Sequence, residues 1–374
     1  MSLPAILLPV VKYLSIISFF ISFITSCQGG PKDTGDGMNS EFRPKKEFVL
    51  ETPVPDEVIS LNDTIVFAIN PLRKAIPDSV SIFIEGNFAH TEKSSPLSFV
   101  THNVFLKVGR QNIRIVVFHS DSLTQTLTSR VTVLSDIEPR VLSYRLVRNI
   151  PHNTNDFIQG FVYFKGHLYE GTGREGFSSL KKKNPVNGDT ELERKMDKTF
   201  FGEGITILHD KIYQLTYRQK VGFVYDVTTF EMIREFDLQT MEGWGLTTDG
   251  KNLIVSDGSP VLYFYDPEYF NQVKQLDVCN NKGLVTSLNE LEYVDGAIWA
   301  NIYGQSIIVK IDSETGKVIA RLDLEALFPV NMPRDYDHVL NGIAYNPDKN
   351  TFYITGKLWP VMYEIVIEEK PDRK

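Results

Sequence analysis

Hydrophobic and polar positions alternate in a repeated pattern along the second half of the chain. Each repeat is an apolar segment, a polar turn and a second apolar segment, which predicts a β-hairpin. The five repeats occupy residues 161–169, 205–213, 246–254, 291–299 and 343–353. Their last residues are 44, 41, 45 and 54 positions apart. A second apolar hairpin continues each unit, for example at residues 223–234. Each unit therefore has four predicted strands, which is typical of a β-propeller blade.

Five such units predict a five-bladed β-propeller. The last unit ends at residues 362–367 and is one strand short, and the apolar segment 141–147 at the start of the domain can complete it and close the ring. A β-helix or an open sandwich is the alternative architecture, and the regular turn after each first strand favours the propeller.

The part of the chain that precedes these repeats has a different pattern, with short alternating strands and no helical period. The candidate strands are residues 64–69, 80–84, 103–106, 112–118 and 129–134. Turn residues bound each of them, which is typical of an immunoglobulin-like β-sandwich. We therefore expect an all-β fold with a sandwich domain over residues 48–136, acting as a spacer or interaction module, followed by the propeller over residues 137–374.

The N-terminus has the pattern of an export signal. Residues 1–25 are apolar apart from Lys12, and small residues precede Cys27. This pattern predicts a bacterial lipoprotein signal peptide over residues 1–27, with lipid attached to Cys27. The alternative is an uncleaved membrane anchor, for which the apolar run is short. Residues 28–47 are rich in Gly, Pro, Lys and Asp and predict a flexible linker. Either interpretation predicts an exported protein held at a bacterial membrane, in the periplasm or on the cell surface.

Composition narrows the classes of partner. The net charge is −8 and the body has no basic cluster, which argues against nucleic acid. Cys279 is the single cysteine after Cys27, so an internal disulfide is excluded, and no Cys/His spacing suggests a zinc site. We expect no cofactor and a monomer, which is common among closed propellers.

Similar short motifs precede each first strand of the repeats. Because the first strands of propeller blades surround the central channel, equivalent positions meet at one mouth. The residues so placed are Gln159, Glu203, Trp244, Asn289 and Asn341. Turn formation and backbone capping explain Asn341. For Gln159, this structural role and a role in a functional site are equal alternatives. A turn needs neither the carboxylate of Glu203 nor the indole of Trp244.

Glu203 is the most informative of these residues. It lies between Gly202 and Gly204, where the missing side chains permit a sharp turn that aims the carboxylate inward. Phe200 and Phe201 precede it and would provide an apolar wall that raises its pKa, as a general acid or base near neutral pH requires. A solvated Glu in an ordinary turn is the alternative.

Several motifs in register resemble those of the plant and bacterial type of glutaminyl-peptide cyclotransferase. They cover residues 150–153, 157–160, 201–206, 242–246, 288–293, 299–302, 340–344 and 355–360. The resemblance extends over about residues 140–368 and does not include the sandwich. It implies a five-bladed propeller that converts the N-terminal glutamine of a peptide or protein into pyroglutamate, with release of ammonia and without a catalytic metal.

The resemblance also implies roles for particular residues. By its motif, Glu203 would transfer the proton from the attacking amine to the departing ammonia. Asn289, Gln159 and Lys357 would bind the amide or the developing oxyanion, although pairing of Lys357 with a structural carboxylate is an equal alternative. The residues expected to form the walls of the substrate pocket are Phe157, Phe201, Tyr217, Trp244 and Tyr303.

This sequence departs from the family at three positions. Tyr217 and Tyr303 stand where the family usually has tryptophan, and Gly171 stands where it usually has serine. Each tyrosine keeps an aromatic face but adds a hydroxyl group that needs a partner. These changes leave the size of the pocket and the substrate preference open.

Two other functions remain open from the residues alone. A propeller lactonase or esterase would use Glu203 and Asn289 to hold a calcium ion, but such propellers usually have six blades. A lipoprotein that binds peptides or glycans without turning them over would use the clustered aromatic residues equally well.

Overall fold

A computed structural model describes residues 46–94, 96–119 and 123–368. The predicted signal peptide, the lipidation site at Cys27 and nearly all of the linker lie outside the described residues. No helix in the described part is long and apolar enough to cross a membrane. The helix that it does contain is a single 3₁₀ turn, η1 (Glu325–Leu327).

The first part of the described chain is a β-sandwich. Its strands are β1 (Phe48–Thr52), β2 (Glu57–Ser60), β3 (Ile65–Pro71), β4 (Pro77–Ile84), β5 (Asn87–Glu92), β6 (Ser98–Thr101), β7 (Gly109–His119) and β8 (Leu123–Leu134). One sheet has the order β1-β3-β6 and the other the order β2-β8-β7-β4-β5. Alternate residues of both sheets, such as Phe67 and Ile115, meet in one apolar core. This two-sheet arrangement confirms the predicted immunoglobulin-like sandwich.

One predicted strand of the sandwich is wrong. Residues 103–106 form a loop rather than a strand, and Asn103 has a positive φ of 53° that strand geometry does not allow. Phe105 is nevertheless buried in the sandwich core, which explains the apolar pattern of this segment. An apolar run of three residues does not distinguish a strand from a loop that inserts one ring into the core.

The remaining described residues form five four-stranded antiparallel blades. Three blades are separate sheets, and the last two are joined into one eight-stranded sheet by a parallel pairing of residues 320–322 with residues 140–142. Blade 1 is β10 (Ile158–Phe164), β11 (His167–Thr172), β12 (Ser179–Lys183) and β13 (Thr190–Lys195). Blade 2 is β14 (Gly202–Leu208), β15 (Lys211–Thr216), β16 (Val221–Asp226) and β17 (Met232–Asp237). Blade 3 is β18 (Leu246–Thr248), β19 (Leu253–Ser256), β20 (Val261–Tyr265) and β21 (Gln272–Asp277).

Blades 4 and 5 complete the ring. Blade 4 is β22 (Leu288–Val294), β23 (Ala297–Ile302), β24 (Ile307–Asp312) and β25 (Val318–Asp323). Blade 5 is β26 (Leu340–Asn346), β27 (Thr351–Gly356), β28 (Val361–Glu368) and the strand β9 (Arg140–Pro151), which comes from the start of the propeller. The antiparallel pairing of β9 with β28 confirms the predicted closure.

The first strand of every blade is the inner one. β10 contacts β14, β14 contacts β18, β18 contacts β22, β22 contacts β26, and β26 returns to β10. This closed ring confirms the five-bladed propeller and places equivalent positions of the five inner strands around one axis. The exact domain boundaries of the sequence analysis stay predictions.

Candidate active site

β-Bulges in the inner strands set the direction of the predicted site residues. The pairing of the inner strand with its neighbour shifts register between Gly202 and Ile205, where Glu203 lies. The same kind of shift occurs in three other blades, at Gln159, Asn289 and Asn341. A bulge leaves its extra residue outside the ladder and redirects the side chain. Blade 3 instead places Trp244 two residues before β18.

Glycines beside the bulges let adjacent blades approach closely. A Cβ on Gly204 would lie 2.5 Å from the backbone nitrogen of Leu246 in the next blade. A Cβ on Gly245 would lie 1.9 Å from the carbonyl oxygen of Asn289. The glycines of the motifs are therefore required by the contacts between inner strands, and these contacts fix where Glu203, Trp244 and Asn289 stand.

The predicted site residues gather around one pocket of about 280 Å³. All nine that were proposed as catalytic or substrate-binding line it, namely Phe157, Gln159, Phe201, Glu203, Tyr217, Trp244, Asn289, Tyr303 and Lys357. Their individual roles stay predictions. A volume of this size lies just below the range of about 300–1,000 Å³ that is usual for ligand sites.

Hydrogen bonds hold Glu203 in a defined position. Gln159 donates from Nε2 to Glu203 Oε1 at 3.0 Å. Asn341 donates from Nδ2 to the carbonyl oxygen of Ile158 at 3.0 Å and to Gln159 Oε1 at 3.3 Å. The capping interpretation of Asn341 therefore agrees with its geometry, and the same bond turns the NH₂ group of Gln159 towards the carboxylate.

The charge of Glu203 depends on burial and on two neighbours. Its side chain is 4% exposed, and this burial raises its pKa well above the usual value of 4.5. The ammonium group of Lys357 opposes the rise, and the carboxylate of Glu242 adds to it. Burial in turn lowers the pKa of Lys357 to about 8, although Glu203 and Asp337 favour its charged form. Both groups can therefore exchange protons nearer to neutral pH than in water.

Aromatic rings form the wall of the pocket. The rings of Phe157 and Phe201 meet edge to face at 6.2 Å, and Phe201 contacts Tyr217 at 5.7 Å. On the opposite side, Trp244 meets Tyr303 edge to face at 5.6 Å. Phe200 was expected to form part of this wall, but it does not. It packs on Phe223 inside blade 2, because consecutive residues of an extended segment point in opposite directions.

Lys357 lies between two of these rings. Its Nζ is 4.6 Å from the ring centre of Phe157 and 5.1 Å from that of Tyr303. No carboxylate of the described residues lies within ion-pair distance of Lys357, so the structural pairing considered as an alternative is not found there. The ammonium group can therefore donate to a bound ligand while the ring faces hold it.

The indole of Trp244 is fixed by a charged neighbour that the sequence analysis did not assign. Trp244 donates from Nε1 to Glu242 Oε2 at 2.9 Å, and Arg218 holds the other carboxylate oxygen at 2.7 Å. Glu242 precedes Trp244 by two residues in the same motif, so the pattern Glu-Gly-Trp could have predicted this hydrogen bond.

Two further residues of the pocket were missed. Arg174 and Asp337 line it and form an ion pair of 3.1 Å, and the Arg174 guanidinium lies 4.4 Å from the ring centre of Phe157. Asp337 belongs to a segment that makes the last interval between repeats the longest. Nothing in the sequence pairs this segment with Arg174.

The acidic residues outside the pocket have structural partners. Glu290 accepts hydrogen bonds from the backbone nitrogens of Phe161 and Ile343, and Glu292 accepts one from Tyr345. Burial raises the pKa of Glu290 well above its usual value and that of Glu292 to about 8, against the effect of these bonds. They link blade 4 to blades 1 and 5 near the axis.

One buried cluster has the residue types of a metal site. Among the described residues, His152, Asp156 and Glu170 are the group with ligand atoms close enough to hold an ion. Lys183 Nζ already lies 2.7 Å from Asp156 Oδ2 and 2.8 Å from Glu170 Oε2. The ammonium group takes the place of a cation, so the cluster fits a structural charge network better than a metal.

The fold and the pocket together define a class of protein, a five-bladed propeller enzyme with one buried carboxylate in an aromatic pocket at the axis. A sequence model of the family described as glutamine cyclotransferase matches residues 118–367. The chain belongs to the glutamine cyclotransferase family, an acyltransferase family.

Two relatives show how far the similarity extends. A glutaminyl-peptide cyclotransferase of Arabidopsis thaliana is 35% identical over 237 residues, which are 63% of this chain and 74% of the plant protein. The crystal structure of Myxococcus xanthus glutaminyl cyclase superposes with a TM-score of 0.59 at 31% identity. That match covers 63% of this chain and all of the Myxococcus chain.

Proposed function

We propose that this protein cyclises the N-terminal glutamine of peptides or proteins to pyroglutamate, releases ammonia, and uses Glu203 as the general acid and base. Family membership supports the reaction class. The observation that carries the role of Glu203 is its position: it is a buried carboxylate that lines the aromatic pocket and accepts a hydrogen bond from Gln159. The reaction needs no protein nucleophile, because the substrate supplies its own amine.

The reaction has a defined proton balance. The α-amino nitrogen of the substrate attacks the γ-amide carbon, and a carbon–nitrogen bond forms to close the five-membered ring. Glu203 takes a proton from that nitrogen and returns one to the amide nitrogen, which leaves as ammonia when its bond to carbon breaks. A carboxylate with a raised pKa is suited to both transfers. The aromatic walls hold the folded glutamine close to the attack geometry.

The developing oxyanion needs donors in the same pocket. Lys357 is held over Phe157 and Tyr303 and provides a positive charge there. Asn289, which is 2% exposed and lines the pocket, provides an amide donor. A preorganised donor of this kind contributes roughly a hundredfold or more to the rate.

The donor set of the pocket supports chemistry without a metal. Among the described residues, its lining contains no histidine or cysteine, and its carboxylates, Glu203 and Asp337, contact Gln159 and Arg174 respectively. A calcium site would need several convergent oxygen ligands. The lactonase or esterase alternative has no such set here.

Attachment to a membrane belongs to the same proposal. The sequence pattern before Cys27 supports lipidation of this residue and export of the whole body. Labelling with a radioactive fatty acid in a bacterial host tests it: label is expected on the wild-type protein, and label retained by Cys27→Ser would contradict the assignment.

The proposed reaction is tested by mass spectrometry of a glutamine-initiated peptide. The purified protein, treated with a chelator and dialysed, is expected to convert the peptide to a product about 17 Da lighter, because general acid–base catalysis of the ring closure releases one molecule of ammonia. Full activity after chelation supports the metal-independent reaction. Cyclisation that is lost after chelation and restored by calcium would contradict the metal-independent reaction, and binding without a mass change would favour a peptide-binding protein.

A further inference from the structure

A segment between blades 4 and 5 is longer than its equivalents. Residues 324–339 separate β25 from β26, whereas six to ten residues separate the outer strand of blades 1 to 3 from the next inner strand. This insertion explains the interval of 54 between the last two repeats. Extra residues at one position of a propeller form a loop at the end of a blade, where loops commonly determine binding.

The insertion is held firmly on the propeller. Trp359 is fully buried and donates from Nε1 to the carbonyl oxygen of His338 at 2.9 Å. The backbone nitrogen of Lys357 donates to the carbonyl oxygen of Val339 at 2.9 Å. The segment that carries Lys357 into the pocket therefore also fixes the end of the insertion.

Tyr336 projects from the insertion beside the pocket. Its ring packs against that of Tyr303 at 5.8 Å between centres with a tilt of 30°, and its carbonyl oxygen accepts from the Tyr303 hydroxyl at 3.3 Å. A Cβ on Gly304 would lie 3.2 Å from the Tyr336 ring, so the glycine makes room for it. The Tyr336 side of this stack remains open, since the residue is 68% exposed.

A groove of about 380 Å³ lies on the other side of this stack. Tyr303 and Asp337 line the pocket, whereas their chain neighbours Gly304 and Tyr336 line the groove. The two spaces are therefore adjacent and share one aromatic divider. A peptide whose first residue fills the pocket can therefore extend past this divider into the groove.

The groove combines aromatic rings with polar and charged side chains, and its charged groups are already paired. Phe328 and the exposed Tyr336 contribute rings, whereas Val339 and Leu340 are almost fully buried. Arg334 pairs with Glu325 at 2.5 Å, and Asp335 pairs with His338 at 2.7 Å. A charged side chain entering the groove would have to compete with these pairs, whereas a planar apolar one can stack on Tyr336.

We propose that this groove is the subsite for the residue that follows the N-terminal glutamine, and that Tyr336 makes the enzyme prefer an aromatic residue there. The inference rests on the proposed cyclisation and specifies its substrates: peptides or proteins that begin with glutamine followed by an aromatic residue. Tyr336 is a specificity-determining residue and takes no part in proton transfer.

Two tripeptide amides test the preference. Both begin with glutamine and end with alanine amide, and they carry phenylalanine or alanine at the second position. The wild-type kcat/KM is expected to be about three- to tenfold higher for the phenylalanine peptide, as one aromatic stack provides. Tyr336→Ala is expected to bring this ratio close to one, and Tyr336→Phe to keep it. The ratio of the two kcat/KM values is the quantity to compare, because a displacement of Tyr303 by the substitution would lower kcat/KM for both peptides alike.

Tyr269→Ala is the matched control. Tyr269 is 70% exposed in blade 3, outside the pocket and the groove, and its substitution is expected to leave the ratio and the absolute rates unchanged. A wild-type ratio near one, or a ratio that Tyr336→Ala preserves, would overturn the subsite.

Equilibrium binding separates this inference from the proposed function. Calorimetry with Glu203→Gln measures Kd for the same two peptides without turnover, and the same preference for phenylalanine is expected. If the wild-type protein cyclises neither peptide, the proposed reaction is contradicted, and the Kd ratio still decides for or against the subsite.

Discussion

At the scale of single residues, the charge of Glu203 depends on Lys357. Burial holds the Glu203 pKa above its usual value and Lys357 limits that rise, so removal of the cation raises the pKa further. The acidic limb of the kcat/KM profile reports ionisation of the base in the free enzyme. We expect Lys357→Met to move this limb to higher pH and to lower kcat about a hundredfold through loss of a donor.

The substitution Glu242→Gln is expected to shift the pKa of Glu203 in the opposite direction. Glu242 raises the pKa of Glu203, so its neutralisation is expected to move the acidic limb to lower pH. Stopped-time ammonia assays across the acidic to mildly alkaline range measure both shifts. If the acidic limb of the profile lies at the same pH for the wild-type protein and both variants, the charges of Lys357 and Glu242 do not act on Glu203.

Lys183 is the residue on which the buried charge network depends. Burial opposes ionisation of Glu170, but Lys183 and His152 outweigh it and lower the Glu170 pKa. Lys183→Met leaves Asp156 and Glu170 buried without this cation, and we expect the free energy of unfolding to fall by about 3–5 kcal/mol at neutral pH. Lys182→Met, on the opposite face of β12, is the control and should change it little.

The pH dependence of this loss has a defined sign. The lowered pKa of Glu170 contributes stability that is present above the unfolded-state value near 4.5 and is lost as the pH falls below it. The deficit of Lys183→Met is therefore expected to shrink towards acidic pH, where the carboxyl group can be protonated. Urea unfolding at neutral and at acidic pH measures it, and an equal deficit at both would argue against an ionic origin.

At the scale of elements, the bulged inner strands position the site. Gly245→Ala would place a methyl group 1.9 Å from the carbonyl oxygen of Asn289, so the two blades must separate. We expect a loss of about 1–3 kcal/mol in stability from overpacking, together with a lower kcat/KM because Trp244 and Asn289 shift. Gly283→Ala, which meets no atom within 4 Å, is the control. Wild-type kinetics in Gly245→Ala would show that the contact does not set the pocket.

The sequence predicted these elements well because their pattern repeats. Five hairpins at similar intervals indicate blades, and the short motifs before their first strands indicate which residues meet at the mouth of the channel. The loop at residues 103–106 was predicted wrongly as a strand, because a run of four residues has too little periodicity to decide. Arg174 and Asp337 were missed because their ion pair joins blade 1 to the insertion, and single-sequence patterns do not report contacts between distant segments.

At the scale of the whole molecule, the propeller contains the complete pocket. Every lining residue lies between Phe157 and Lys357, and the match to Myxococcus xanthus glutaminyl cyclase covers that entire chain with 63% of this one. A variant that begins at residue 137 is therefore expected to keep kcat/KM within about threefold, since β9 and the ring closure are retained. A folded variant without activity would show that the sandwich contributes to the chemistry.

The sandwich nevertheless contacts the propeller directly. Arg110 binds Asp277 of blade 3 with both a backbone and a side-chain donor, and Gly109 lies where any Cβ would meet that aspartate. The shortened variant is thus expected to unfold at a lower temperature than the full chain even though it remains active. Differential scanning calorimetry of both proteins measures this difference.

The central claim is that one buried carboxylate at the propeller axis transfers the proton within the substrate. The most direct measurement is kcat for ammonia release from a glutamine-initiated peptide by Glu203→Gln, with circular dichroism and thermal unfolding to show an intact fold. The account predicts a loss of at least about a hundredfold, because glutamine cannot accept and return the proton. A folded Glu203→Gln protein that retains wild-type turnover would contradict it.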